Sequence, residues 1–273
     1  MTLTATPEST ASATTVPVGN ERLNAIVDDL QAALISVIAK HRVTDEEYRA
    51  ATIWLMNAGT QHLEIPLMLD VFLAQAVDDL NHQITEGTDC NVEGPVYVEG
   101  APELQAPYVL PQRADEPGTR LVFSGTVRGC DGTPLADALL DVWQANGAGE
   151  YSHFNPDVPE YNLRGKLRTD ADGRFEFATV MPSEYPIPLG GSTGQLLAAL
   201  GRTGIRPGHI HFKLSHPAVK PLTTQIYFEG DPYLNNDVVG ASKPSLVVSP
   251  VCGVDADGRP AAACTFDFVL PAA

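Results

Sequence analysis

Residues 121–143 read LVFSGTVRGCDGTPLADALLDVW, and this stretch decides the fold. Leu121-Val122-Phe123 and the run Ala138 to Trp143 are apolar segments of strand length, and Asp131-Gly132 between them supplies a turn. The same grammar recurs on the C-terminal side. Phe175-Glu176-Phe177, His209 to Leu214, Thr223 to Phe228, Leu246-Val247-Val248 and Thr265 to Leu270 read as further short strands. Asp172-Gly173, Pro207-Gly208 and Asp257-Gly258 punctuate them. Many short strands with glycine and proline between them imply a sandwich or barrel.

Before Gly94 the period is helical. Leu23, Ile26, Val27, Leu30, Leu34, Val37 and Ile38 recur at three- and four-residue steps and build one apolar stripe. Thr44 followed by Asp45, Glu46 and Glu47 is a capping box that opens a second helix through Trp54 to Ala58. A third helix is expected from Pro66 to about residue 82, with proline in its tolerated first turn. These helices form either a compact unit or a dimerisation arm. The expected fold is therefore α+β: a tail over 1–20, a helical domain over 21–95, and a mostly antiparallel β-sandwich domain over 96–273. Residues 93–102, with their Gly and Pro, are the expected seam.

Composition narrows the function. Asp and Glu outnumber Lys and Arg by 34 to 17, a net charge of −17, which argues against nucleic acid or an anionic membrane as the main partner. Cys90, Cys130, Cys252 and Cys264 show no CxxC or zinc-like spacing, so a reducing cytoplasm is the expected compartment. No apolar run reaches membrane-spanning length. Met1 to Asn20 are rich in Thr, Ser, Ala and Pro, lack a basic start, an apolar centre and a twin-arginine pair, and read as a disordered tail.

The sharpest chemical feature is Arg206-Pro-Gly-His209-Ile-His211-Phe. Residues i and i+2 of a strand face one side, so both imidazoles enter one space, as a metal pair or as hydrogen-bonded histidines. A facial iron triad or a cupin would need a carboxylate nearby. The nearest acids, Glu229 and Asp231, lie beyond the next strand, and the other histidines stand alone. Tyrosine remains: Tyr151 in Asn146-Gly-Ala-Gly-Glu-Tyr-Ser, and Tyr185 in Pro182-Ser-Glu-Tyr-Pro-Ile-Pro. Each alone is more often a packed or hydrogen-bonded tyrosine than a ligand. Together with two histidines, two hard phenolates would suit Fe(III).

Taken in order, Gly132-Thr-Pro-Leu-Ala-Asp-Ala-Leu-Leu-Asp141-Val-Trp143-Gln-Ala-Asn146 through Tyr151-Ser152, Tyr185 with Gly194-Gln195-Leu196, Arg206 to His211, and Thr223-Thr-Gln225 resemble the intradiol ring-cleaving dioxygenases. Val92-Glu93-Gly94-Pro95-Val96-Tyr97 and Pro66-Leu67-Met68-Leu69-Asp70-Val71-Phe72 extend the likeness into the helical half. It covers about residues 21 to 270 and follows the catechol and chlorocatechol 1,2-dioxygenase branch. Hydroxyquinol 1,2-dioxygenases are the runner-up.

The resemblance implies one non-haem Fe(III) per subunit, held by Tyr151 and His209 equatorially and by Tyr185 and His211 axially. It implies that Tyr185 leaves the metal to take a substrate proton, that Arg206 stabilises charge developing on the ring, and that Gln225 orients the oxygenated intermediate. Leu67, Asp70 and Val71 share one helix face, which the resemblance sets against the substrate ring beside Val92, Gly94 and Val96, with Val239 across the pocket. It further implies that the helical domain over 21–95 serves dimerisation and the sandwich over 96–273 iron-dependent catalysis, with a homodimer through the N-terminal helices and a phospholipid in the groove. An alternative of another class is a non-catalytic prealbumin-like sandwich, since Gly125-Thr-Val and Thr169-Asp-Ala-Asp-Gly-Arg-Phe specify fold alone. Such a module has no reason to carry Arg206 with His209 and His211.

Overall fold

The computed structural model describes residues 21–61, 63–81, 86–255 and 257–273. The expected tail over 1–20 lies outside them, as do residues 82 and 83 at the end of the expected third helix. By packing, the chain divides into one unit ending at Met56 and another running from Asn57 to Ala273. This boundary differs from the seam at 93–102, because several side chains between 57 and 95 bond to the sandwich. Asn91, for example, donates its backbone N–H to the Thr223 carbonyl and its Nδ2 to that of Ala241.

The first unit holds α1 (Glu21–His41) and most of α2 (Asp45–Thr60). The capping box forms as expected: Thr44 Oγ1 accepts the Glu47 N–H at 3.2 Å, and Glu47 Oε2 accepts the Thr44 N–H at 2.8 Å. The α1 stripe, including Leu23, Ile26, Leu30 and Leu34, is exposed.

In the second unit, α3 (Glu64–Leu69) starts two residues before Pro66, a π-turn follows over Asp70–Ala74, and α4 (Gln75–Asn81) completes the segment. A single continuous helix was the expectation. The π-turn adds a residue to the repeat and re-aims the face that carries Asp70 and Val71.

The strands are β1 (Tyr108–Val109), β2 (Arg120–Gly129), β3 (Leu139–Gln144), β4 (Arg164–Arg168), β5 (Arg174–Val180) and β6 (Tyr185–Pro186). After α5 (Ser192–Ala199) come β7 (Ile205–Arg206), β8 (His209–Ser215), β9 (Leu222–Phe228), β10 (Val247–Val248), β11 (Val251–Val254), β12 (Pro260–Thr265) and β13 (Phe268–Leu270). One sheet runs β1-β5-β2-β12-β11 with β13 also on β2, and the other runs β10-β9-β8-β3-β4. Most pairings are antiparallel; β1 on β5, β10 on β9, and β12 and β13 on β2 are parallel. Phe123, Phe177, Phe212 and Phe268 pack ring against ring in the core cluster between the sheets.

Two expected strands come out differently. Leu246 lies in a 3-10 turn over Pro244–Leu246, so only Val247-Val248 pair. The run from Thr265 to Leu270 is split at Phe266-Asp267, where the Phe266 carbonyl fills the space beside Gly125 that any side chain would occupy. There Asp267 Oδ1 accepts the Thr126 N–H at 2.8 Å, in place of a ladder bond. The register on β2 resumes unchanged at Phe268 opposite Val127.

Candidate active site

Strand β8 sets the site. His209 and His211 point to one side of it, both fully buried, with their Nε2 atoms 2.9 Å apart. His209 Nδ1 lies 2.7 Å from the Pro207 carbonyl, which can only accept, so the ring proton sits on Nδ1 and Nε2 presents its lone pair. Burial pushes both imidazoles well below the usual histidine pKa; Arg206 adds to this at His209, and His209 and Arg206 add to it at His211. Both rings are therefore neutral and suited to bind a cation.

Cross-strand neighbours build the surroundings. Trp143 on β3 lies opposite His211 and stacks on it, centroids 4.6 Å apart and planes 8° from parallel. On β9, Gln225 lies opposite His211 and Tyr227 opposite His209.

Tyr151 reaches the histidines from the loop after β3. Asn146 shapes that loop: its Oδ1 accepts the N–H groups of Ala148 and Glu150. Gly149, at φ 77°, lets the loop pass against Tyr185, since a Cβ there would meet Tyr185 Cβ at 2.9 Å. The Tyr151 ring meets the Tyr185 ring edge-on at 5.3 Å and lies 6.5 Å from that of His211. Tyr151 is buried, and its hydroxyl has no hydrogen-bond partner among the described residues. Burial, then the neighbouring Tyr185 phenol, drives its pKa well above the usual phenol value. Tyr185 on β6 pairs with Arg206 on β7, and its half-buried ring sits 5.8 Å from that of His209.

Arg206 is buried and anchored on all sides. Nε and Nη2 donate to the two oxygens of Asp237 at 3.2 Å each, Nη2 also to Gln225 Oε1 at 2.8 Å and Tyr227 Oη at 3.1 Å, while Nη1 lies 3.2 Å from His209 Nε2. Burial opposes its charge, but Tyr227, Tyr185 and Asp237 outweigh that and hold its pKa well above the usual value. Gln225 is fixed in turn by donating Nε2 to the Val92 carbonyl and by accepting from Tyr227.

A cavity of about 640 Å³ opens onto these groups and is lined by Tyr185, Arg206 and His211. Leu67, Asp70, Val71, Val92, Gly94, Val96 and Val239 all line it. Its wall is largely apolar, and burial raises the pKa of the Asp70 carboxyl within it. Every residue singled out for the site is thus brought together. Asp237, Tyr227, Trp143 and Arg164 also belong to the cluster but are assigned no role by the sequence reading. The i, i+2 spacing of Gln225 and Tyr227, matching that of His209 and His211 across one hairpin, is a signal that was available for Tyr227.

The donor set suits a hard trivalent cation. Among the described residues no third His, Cys or carboxylate joins the pair to make a metal cluster. What faces the two neutral imidazoles is a buried, unpartnered phenol and a second phenol beside it. A cation between them would take the lone pair that His209 Nε2 presents and give the Tyr151 oxygen a partner.

Comparison with known proteins agrees with this geometry. The family described as Dioxygenase matches residues 92–272, and the one described as Catechol dioxygenase N terminus matches residues 20–89. A chlorocatechol 1,2-dioxygenase of Rhodococcus opacus is 40% identical over 254 residues, spanning 92% of this chain and 98% of the relative. The crystal structure of 3-chlorocatechol 1,2-dioxygenase from Rhodococcus opacus superposes with a TM-score of 0.87 at 42% identity, covering 93% of this chain and 99% of that one. Hydroxyquinol 1,2-dioxygenase from Pseudomonas putida superposes at 0.88 with 31% identity, covering 95% and 94%. A non-catalytic sandwich is thereby set aside: the chain belongs to the intradiol ring-cleavage dioxygenase family.

Proposed function

We propose that this protein cleaves catechol, or a substituted catechol, between its two hydroxyl-bearing carbons, adding both atoms of O2 to give a cis,cis-muconate. The observation that carries the reading is the convergence of two phenols, two neutral imidazoles and a buried guanidinium at the end of an apolar cavity. Tyr151, Tyr185, His209 and His211 would hold one Fe(III). Once bound there, Fe(III) supplies a Lewis acid that takes up both catechol oxygens and raises the reactivity of the ring carbons toward O2.

The chain's own groups do the rest. Tyr185, half-buried at the cavity, accepts a substrate hydroxyl proton on its phenolic oxygen. The Arg206 guanidinium, held by Asp237, is fixed in advance where negative charge develops on the ring. Gln225, fixed by Val92, Tyr227 and Arg206, provides a set dipole for orienting the oxygen added to the ring. Leu67, Val71, Val92, Val96 and Val239 bury the aromatic ring and exclude water, and Gly94 leaves room in front of His211.

Asp70 favours a second reading. A carboxylate on an apolar wall would accept a hydrogen bond from a third ring hydroxyl, which suits hydroxyquinol. A kcat/KM panel of catechol, 3- and 4-substituted catechols, hydroxyquinol and protocatechuate tests both readings, with oxygen uptake as the readout. Absence of ring cleavage with every diol by iron-loaded protein would overturn the assignment.

The exposed apolar face of α1 supports a homodimer through this helix, with phospholipid acyl chains in the groove. No described helix is long and apolar enough to cross a membrane. Among the described residues no disulfide links Cys90, Cys130, Cys252 or Cys264, which supports the cytoplasm as the working compartment.

A further inference from the structure

Arg164 on β4 lies opposite Trp143 on β3, which in turn lies opposite His211 on β8. Directly opposed residues share a sheet face, so the three form one row leading to the site. Arg164 is 1% exposed. Its Nε donates to Ser152 Oγ at 2.7 Å and its Nη2 to the Ser152 carbonyl at 3.2 Å. Neither bond goes to a carboxylate, and Nη1 has no hydrogen-bond partner among the described residues. The guanidinium carbon stands 5.8 Å from the centroid of the Tyr151 ring, within cation–π range. A buried guanidinium is unfavourable unless nearby groups compensate its charge, and in addition to the Asp141 carboxylate this one has an electron-rich neighbour. The Tyr151 ring is that neighbour, and it belongs to a residue whose own hydroxyl is buried and unpartnered.

We propose that Arg164 is a positioning residue for the reaction: its charge against the Tyr151 ring restrains electron donation from the Tyr151 oxygen, and its two bonds to Ser152 fix the direction of that ring. A cation beside an aromatic donor lowers the energy of the donor's occupied π orbitals. Because the charge stands against the ring, it acts on the donor more than on an acceptor at the oxygen. Weaker donation from Tyr151 leaves more of a bound metal's acidity for the two catechol oxygens. This inference rests on Tyr151 being an Fe(III) ligand, as proposed above.

The test compares iron-loaded wild type with Arg164→Gln, Arg164→Lys and Ser152→Ala. The readouts are the visible phenolate-to-iron band at matched iron content and the thermal unfolding midpoint. Arg164→Gln should move the band to longer wavelength, because the donor orbitals rise. Arg164→Lys, which keeps the charge, should stay near wild type, and Ser152→Ala should shift the same way as Arg164→Gln by a smaller amount. A merely structural role would lower the unfolding midpoint and leave the band in place. An unmoved band in Arg164→Gln, or a shift in Arg164→Lys as large as in Arg164→Gln, overturns the proposal. Should Arg164→Gln fail to fold, an unmoved band in Ser152→Ala overturns it. A wild type with iron but no visible band overturns the ligand assignment itself, and this inference with it.

Discussion

Asp237 grips Arg206 with both carboxylate oxygens, each 3.2 Å from a guanidinium nitrogen, and accepts the Val239 and Ala241 N–H groups as well. One loop residue thereby aims the cation of the site and shapes the cavity wall two residues later. Removing the charge in Asp237→Asn weakens two charge-assisted bonds worth about 1.5–3 kcal/mol in such settings, or roughly 10- to 100-fold in rate if the whole loss falls on the transition state. The expected result is a fall in kcat of that size with KM for catechol little changed. A loss confined to KM would mean that Asp237 shapes the wall and leaves Arg206 where it is.

Metal content is the second prediction. With two phenolates on Fe(III), the purified protein should be red to burgundy, and anaerobic catechol should shift the band. Tyr151→Phe, His209→Ala and His211→Ala should each lose iron by elemental analysis. A colourless, fully active protein containing only zinc would end this reading.

The third prediction concerns the metal-free protein and pH. His209 and His211 are pushed well below their unfolded value by burial, so below about pH 6.5 the unfolded chain binds more protons than the folded one. Stability from their neutrality is present above that pH and is lost as pH falls through it. Between pH 7 and 5.5 the metal-free protein should therefore lose stability steadily, read by urea unfolding at each pH. His209→Gln with His211→Gln should flatten that part of the profile. Equal slopes in the double variant and wild type would show that the imidazoles are not the titrating groups.

Assembly gives the fourth. The α1 face bearing Leu30 and Leu34 is exposed. Leu30→Lys or Leu34→Lys should turn a dimer into a monomer by light scattering while iron content stays at wild-type level. A wild type that is already monomeric at micromolar concentration contradicts the assembly proposal.

What could be read in advance follows from how local each signal is. His209 and His211 announce themselves, because alternation along one strand is a two-residue rule. Tyr151 and Tyr185 each look like ordinary tyrosines, and only the ordered resemblance joined them to the histidines. The roles of Asp237, Tyr227 and Arg164 depend on which strand pairs with which and in what register, and that is set by the whole sheet. Strand β4 gives no alternating signal of its own, because Arg-Gly-Lys-Leu-Arg carries one large apolar residue, although the sheet buries Arg164 and Leu167. The π-turn at Asp70–Ala74 leaves no mark in a stripe of apolar residues, yet it sets the helix face presented to the cavity.

That cavity wall carries the last prediction. Val239 is half-buried, lines the cavity, and packs against the small cluster of Val71, Ile187 and Leu197. Its N–H is held by Asp237 Oδ1 at 3.3 Å, so the side chain has little freedom to move away from a ring substituent. Trimming it to alanine removes two methyl groups at the wall. A misplaced methylene is worth about 1–3 kcal/mol in discrimination, and about 1.4 kcal/mol is a factor of ten. Val239→Ala should therefore raise kcat/KM for at least one substituted catechol relative to catechol, by roughly 5- to 100-fold. If Val239 serves the Val71–Ile187–Leu197 cluster alone, the variant loses stability by about 1–2.5 kcal/mol and every substrate falls by the same factor. Measuring unfolding alongside the 3- and 4-substituted catechols separates the two, and unchanged ratios across the panel would remove Val239 from the substrate wall.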